Sequence, residues 1–150
     1  MKEQLLRGRY RLIEMIGEGG MATVYRAWDT HLERSVAIKM MRPDGALSDM
    51  EQDAFLAEAR MVAKLNHPNI VTLYDAGVAD GQPFLVMELL PGWTLRQRLT
   101  TGPLPVAEAR YLVDRIAAAL EAAHAQRVLH LDVKPENVLF DARGEPKLSD

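Results

Sequence analysis

The sequence predicts an α+β protein: a small, mostly antiparallel sheet with one helix, followed by a helical part. Three observations carry this. Apolar and β-branched residues recur in short runs through the first third, closed by glycine or proline clusters. Between the third and fourth runs the period becomes helical, with Phe55, Ala59, Val62 and Leu65 on one stripe. After Pro91-Gly92 a longer apolar stripe of helical period takes over.

Tyr10–Ile16 is the first expected strand and breaks at Gly17-Glu18-Gly19-Gly20; Ala22–Trp28 follows, so the two form a hairpin around a glycine-rich turn. Ser35–Met41 is the third, closed by Pro43-Asp44-Gly45. A helix is expected from Ser48 to Leu65, with Ser48 and Glu51 as a capping box and His67-Pro68-Asn69 as its stop. Ile70–Tyr74 and Phe84–Leu89 are the fourth and fifth strands, joined through Asp80-Gly81-Gln82-Pro83. The joint between the two parts falls at Leu89 to Gly92.

In the second part Thr94–Leu99 reads as a short helix. Pro105 opens a long one to about Gln126, with Val106, Ala109, Leu112, Val113, Ile116, Leu120 and Ala123 as its apolar stripe. Glu108 near its start and Arg127 at its end suit the helix dipole. Val138–Phe140 and Pro146–Leu148 are two short strands around an Asp141-Ala142-Arg143-Gly144 turn.

Composition narrows the function classes. Of 150 residues, 48% are apolar and 26% charged, which excludes a disordered chain and a fibrous repeat. Eighteen Lys and Arg against 21 Asp and Glu leave a net charge of -3. No global basic surplus draws in nucleic acid or an anionic membrane, so phosphate binding must come from a local site. Cysteine is absent, which excludes a disulfide scaffold and thiolate metal sites, and fits a reducing compartment. No signal-peptide h-region opens the chain and no uncharged apolar run reaches the ~18 residues of a bilayer span. A soluble, cytoplasmic protein is expected.

Gly17-x-Gly19-x-x-Ala22-x-Val24 can bring backbone close to phosphates, but by itself it is equally a plain hairpin turn. The dinucleotide reading needs a following helix and an acidic residue about 20 positions on, and the Walker reading needs Gly-Lys-Ser/Thr; neither is present. Lys39 in Val36-Ala37-Ile38-Lys39 and Glu58 in the first helix are, singly, ordinary solvated residues. The four histidines show no zinc-ligand spacing. What changes the weight is order: the glycine loop, Lys39, Glu58, then His130-Leu131-Asp132-Val133-Lys134-Pro135-Glu136-Asn137, then Lys147-Leu148-Ser149-Asp150.

On those motifs, together with Leu65-Asn66-His67-Pro68-Asn69-Ile70-Val71, the chain from about Tyr10 to Asp150 resembles the eukaryotic-type protein kinases, in the bacterial serine/threonine branch. The resemblance implies a protein-kinase-like two-lobed fold: an antiparallel five-stranded N-terminal lobe with one helix in residues 1–90, and the first part of a truncated helical C-terminal lobe in residues 91–150. It implies ATP between the lobes and Mg²⁺ on the phosphates, with protein Ser/Thr hydroxyls as acceptors, because Lys134 stands two positions after Asp132. Lys39 would hold the α- and β-phosphates, paired with Glu58; Asp132 would orient the substrate hydroxyl and take its proton; Lys134 would sit on the γ-phosphate. Asn137 and Asp150 would hold Mg²⁺. The loop Ile16, Gly17, Glu18, Gly19, Gly20, Met21, Ala22, Thr23 and Val24 would cover the nucleotide, with Ala37, Met87 and Leu139 against the adenine. The backbone of Glu88 and Leu90 would bond its edge; for the apolar residues core packing is an equal explanation.

Three positions depart from the family pattern. Ala22 replaces the third glycine, Leu131 stands where many members have Arg, and the Phe-Gly expected after Asp150 is not in the 150 residues. A binding module that holds nucleotide without transferring phosphate is therefore the competing expectation. Residues 1–150 alone are expected to be inactive on protein and poorly stable, because the long helix would leave its stripe uncovered.

Overall fold

The computed structural model describes residues 5–19, 22–41, 47–91, 93–128 and 133–149. It divides into two units, Met1–Ala63 with Leu73–Leu89, and Lys64–Thr72 with Leu90–Asp150.

The first unit is a six-stranded antiparallel sheet. Its strands are β1 (Leu5–Leu6), β2 (Tyr10–Glu18), β3 (Ala22–Asp29), β4 (Arg34–Met41), β5 (Leu73–Ala79) and β6 (Gln82–Met87), in the order β1-β2-β3-β4-β6-β5. Four are the expected ones, and β5 shares only Leu73 and Tyr74 with the expected fourth strand. The addition is β1, too short to carry an alternation, which turns into β2 through Arg7 and Gly8 at φ 51° and 66°. The Arg9 amide donates to the Leu6 carbonyl at 3.0 Å and closes that turn. Period-2 alternation puts Val36, Ile38 and Met40 of β4 into a core with Leu6, Tyr10, Ala27, Phe84 and Val86. Tyr10 meets Phe84 edge-on at 6.3 Å, and its hydroxyl donates to Asp75 Oδ2 at 2.7 Å. Burial, then the Asp75 carboxylate, push that phenol above its ordinary pKa. Helix α1 (Asp49–Ala63) packs against β5 and buries Ala59. Ser48 Oγ accepts from the Glu51 amide at 3.2 Å, the Ser half of the expected capping box.

The second unit contains α2 (Leu95–Leu99), α3 (Val106–Ala125), a 3-10 turn (Pro135–Asn137), β7 (Val138–Phe140) and β8 (Pro146–Leu148). Thr94 and Gln97 cap α2 reciprocally, at 2.9 and 3.1 Å. Asp141 Oδ1 accepts from the amides of Arg143 and Glu145, both at 2.9 Å, and Gly144 takes φ 82°, which together close the β7–β8 hairpin. Those amides hold the Asp141 carboxyl below its ordinary pKa.

Two expectations need correction. Ile70 and Val71 are not in the first sheet: Ile70 bridges Leu148 in parallel, the Val71 amide donates to the Leu148 carbonyl at 3.0 Å, and β5 begins only at Leu73. That pairing groups residues 64–72 with the second unit, whereas the sequence pattern predicts a single boundary at residue 90. On α3 the buried residues are Ala119 and Ala123, while Val106 and Val113 of the expected stripe are 72% and 67% exposed. Among the described residues no helix is long and apolar enough to cross a membrane.

Candidate functional site

Several of the expected site residues lie on one face of the first sheet. Residues directly opposite in antiparallel pairs share a face. Lys39 lies opposite Val24 on one side and Leu85 on the other. Val24 in turn faces Gly17, and Ala37, two residues before Lys39, faces Met87. Gly17, Val24, Ala37, Lys39, Leu85 and Met87 therefore line one surface, while Val36, Ile38 and Met40 point to the core. Leu85 is not among the residues expected from sequence; its place between buried Phe84 and Val86 was the available signal.

The glycine-rich segment is a strand turn, as the hairpin reading requires. Glu18 pairs with Thr23, and the Gly19 amide donates to the Ala22 carbonyl at 2.9 Å. Ala22 lies opposite Met41 and buried Thr23 opposite Met40. Ile16 is exposed at the irregularity between Met15 and Gly17. Gly20 and Met21 lie outside the described residues. Glu58 is on α1 as expected, and its side chain is exposed. Glu88 and Leu90 follow β6, both half-buried.

The remaining expected residues belong to the other unit. Lys134 is exposed and caps the 3-10 turn, its carbonyl accepting from the Asn137 amide at 2.9 Å. Asn137 is half-buried, and its carbonyl accepts from the Ser149 amide at 2.7 Å. Leu139 pairs with Lys147 and bridges Thr94. Asp132 and Asp150 lie outside the described residues, as do His130 and Leu131. Ser149, which is bonded to Asn137, is the residue before Asp150 in the sequence.

The donor set fits the implied groups. One ammonium among glycine, alanine and aliphatic side chains suits a phosphate next to an apolar base. An amide oxygen with an aspartate downstream offers hard oxygens in small number, which suits Mg²⁺ because that ion keeps several waters. Among the described residues no group of three or more His, Cys, Asp or Glu forms a denser metal site.

A family model described as protein kinase domain matches residues 10–150. The chain is 42% identical over 146 residues to the serine/threonine-protein kinase PrkC of Bacillus subtilis, covering 97% of this chain and 22% of that protein. It is 41% identical to the serine/threonine-protein kinase PknL of Mycobacterium tuberculosis, covering 100% of this chain and 38% of that one. The chain thus spans between about a fifth and two-fifths of the length of these curated relatives. Its fold is similar to the crystal structure of the Mycobacterium tuberculosis PknI kinase domain, with a TM-score of 0.85 at 31% identity, covering 94% of this chain and 58% of that one.

Proposed function

The chain belongs to the protein kinase domain family, and from that premise we propose that it carries the nucleotide-binding and catalytic-loop residues of an ATP-dependent serine/threonine protein kinase. Residues 1–90 would be its N-terminal lobe and 91–150 the start of its C-terminal lobe. The observation that supports this best is the register that sets Lys39 between Val24 and Leu85, on the face shared with Gly17, Ala37 and Met87.

In this reading Lys39 Nζ binds the α- and β-phosphates, and the small residues Gly17 and Ala37 leave room for the nucleotide beside it. Val24, Met87 and Leu139 cover the base, and the backbone of Glu88 and Leu90 bonds its edge. Asp132 orients the Ser or Thr hydroxyl and accepts its proton as the oxygen attacks, while Lys134 neutralises the phosphoryl group being transferred. Asn137 and Asp150 would hold Mg²⁺, which supplies charge neutralisation across the phosphates when bound. Protein Ser/Thr side chains are the proposed acceptors, on the strength of Lys134 and the serine/threonine kinases among the relatives.

A second reading is nucleotide binding without transfer, supported by the exposure of the Glu58 side chain on α1. One experiment separates the two. In the intact protein carrying this chain, Lys39→Met should lower kcat/KM for phosphotransfer from ATP to a Ser/Thr peptide by about 100-fold, or ~2.7 kcal/mol of transition-state stabilisation. A loss below about threefold would remove Lys39 from the reaction. Binding of a fluorescent ATP analogue with no transfer by the unsubstituted protein would select the second reading.

A further inference from the structure

Asn69 is polar and 0% exposed; its Oδ1 has no partner among the described residues, while its NH₂ group is fully used. Its side-chain amide donates to Glu145 Oε1 at 2.8 Å and to the Pro146 carbonyl at 2.9 Å. Its backbone is equally committed: the amide donates to His67 Nδ1 at 3.0 Å, and the carbonyl accepts from the Leu148 amide at 2.8 Å. Two acceptors against one NH₂ group dictate which way the amide points, because the reversed amide would set its oxygen against a carboxylate. The second oxygen of Glu145 accepts from Tyr111 Oη at 2.6 Å. One carboxylate therefore joins the 64–72 segment, α3 and the head of β8.

The importance of this junction lies in where β8 leads. Three residues after Glu145 the strand ends at Leu148, then the Ser149 amide donates to the Asn137 carbonyl, and Asp150 is next in sequence. β8 is a three-residue strand paired with β7, so the path from its head to the backbone bond at Asn137 is short and hydrogen-bonded. Resting on the kinase reading above, we propose that Glu145 is a positioning residue for the proposed metal ligand Asn137. Through Asn69 and Tyr111 it fixes the path of β8, and so the backbone bond from Ser149 to Asn137.

Removing the carboxylate leaves one N–H of a buried amide without an acceptor, and β8 without its tie to α3. Glutamine preserves both contacts, since its oxygen can accept from Asn69 and its nitrogen can donate to the Tyr111 hydroxyl. Tyr111 is half exposed, so Tyr111→Phe deletes a single hydrogen bond with little change to packing.

The test uses the intact protein, saturated with a non-hydrolysable ATP analogue, with Mn²⁺ as the probe and its binding followed by electron paramagnetic resonance. Glu145→Ala should raise the Mn²⁺ dissociation constant by about tenfold, in the range seen for outer-shell partners of metal ligands. Glu145→Gln should stay within about twofold, and Tyr111→Phe should fall between, at about threefold. Analogue affinity without metal should be unchanged in all three. Should Glu145→Ala fail to fold, Tyr111→Phe still decides. An unchanged Mn²⁺ constant in Tyr111→Phe, or equal loss in Glu145→Gln and Glu145→Ala, would overturn the positioning role. Absence of nucleotide-dependent Mn²⁺ binding in the unsubstituted protein would overturn the kinase reading with it, and is distinguishable from both.

Discussion

The ion pair at the end of β3 allows a stability prediction with a definite sign. Asp29 is 1% exposed and receives Arg9 in a two-pronged contact, Nε to Oδ1 and Nη2 to Oδ2, both at 2.9 Å. Oδ1 also accepts from the amides of His31 and Leu32, at 2.9 and 3.2 Å, so the carboxylate shapes the β3–β4 turn. Arg9 first, then those amides, lower the Asp29 carboxyl from 3.8 to about 2 against the opposing effect of burial. A group with a depressed folded-state pKa contributes stability above its unfolded pKa and loses it as pH falls toward the folded one. The shift corresponds to about 2 kcal/mol at neutral pH, falling to about half by pH 3. Asp29→Asn keeps the shape but sets an NH₂ group against the guanidinium. We expect it to lose about 2 kcal/mol at pH 7, and the gap to the unsubstituted chain to narrow as pH drops from about 4 toward 2. Urea unfolding in a Trp93→Phe background would read this through Trp28, which neighbours Asp29 on β3. A gap that stays constant between pH 7 and pH 3, or one below about 0.5 kcal/mol at pH 7, would show that the pair does not have the energetics its geometry implies.

Local geometry sets two other outcomes. A Cβ at Gly77 would come within 2.8 Å of Phe84 Cζ and 3.0 Å of its Cε1, so Gly77→Ala forces a core ring to move and should cost about 1–3 kcal/mol, read as a lower urea midpoint. Thr94→Ala removes the acceptor for the Gln97 amide from a five-residue helix; a loss of about 1 kcal/mol should speed hydrogen exchange at Gln97 and Arg98 roughly fivefold while leaving β3 and β4 unaffected.

Much of the candidate site was legible because the part of it on the first sheet is a matter of alternation. On a strand, knowing that Val36, Ile38 and Met40 are core residues places Ala37 and Lys39 together on the other face, with no knowledge of neighbours. Which residues oppose them is a question of register, and register depends on turns and partners far along the chain; alternation marks Leu85 as facing away from Phe84 and Val86, but only the register sets it opposite Lys39. The helix bearing Glu58 was equally readable, since its period is local. The direction of Glu58 depends on how α1 rotates against β5, and with only Ala59 fully buried the apolar stripe constrains that rotation weakly. The α3 stripe was read in part: Ala109, Leu112, Ile116, Leu120 and Ala123 are half-buried or buried, whereas Val106 and Val113 at one edge are exposed and Ala119, outside the expected stripe, is buried.

The segment Asn69-Ile70-Val71 shows the limit of pattern reading most clearly. A β-branched apolar run before a strand looks like the strand's own beginning, and burial of Ile70 and Val71 agrees with that. Period and burial, however, record only that a segment pairs, never with what. Here the partner is Leu148, almost eighty positions on, and the choice is made by polar atoms: buried Asn69 finds its acceptors at Glu145 and Pro146 and must follow β8 to satisfy them. An apolar residue at 69 would leave the segment free to extend β5. The asparagine, an ordinary loop residue in the sequence, ties the 64–72 stretch to Glu145 within the second unit, alongside the backbone bonds to Leu148, and there the proposed positioning of Asn137 begins.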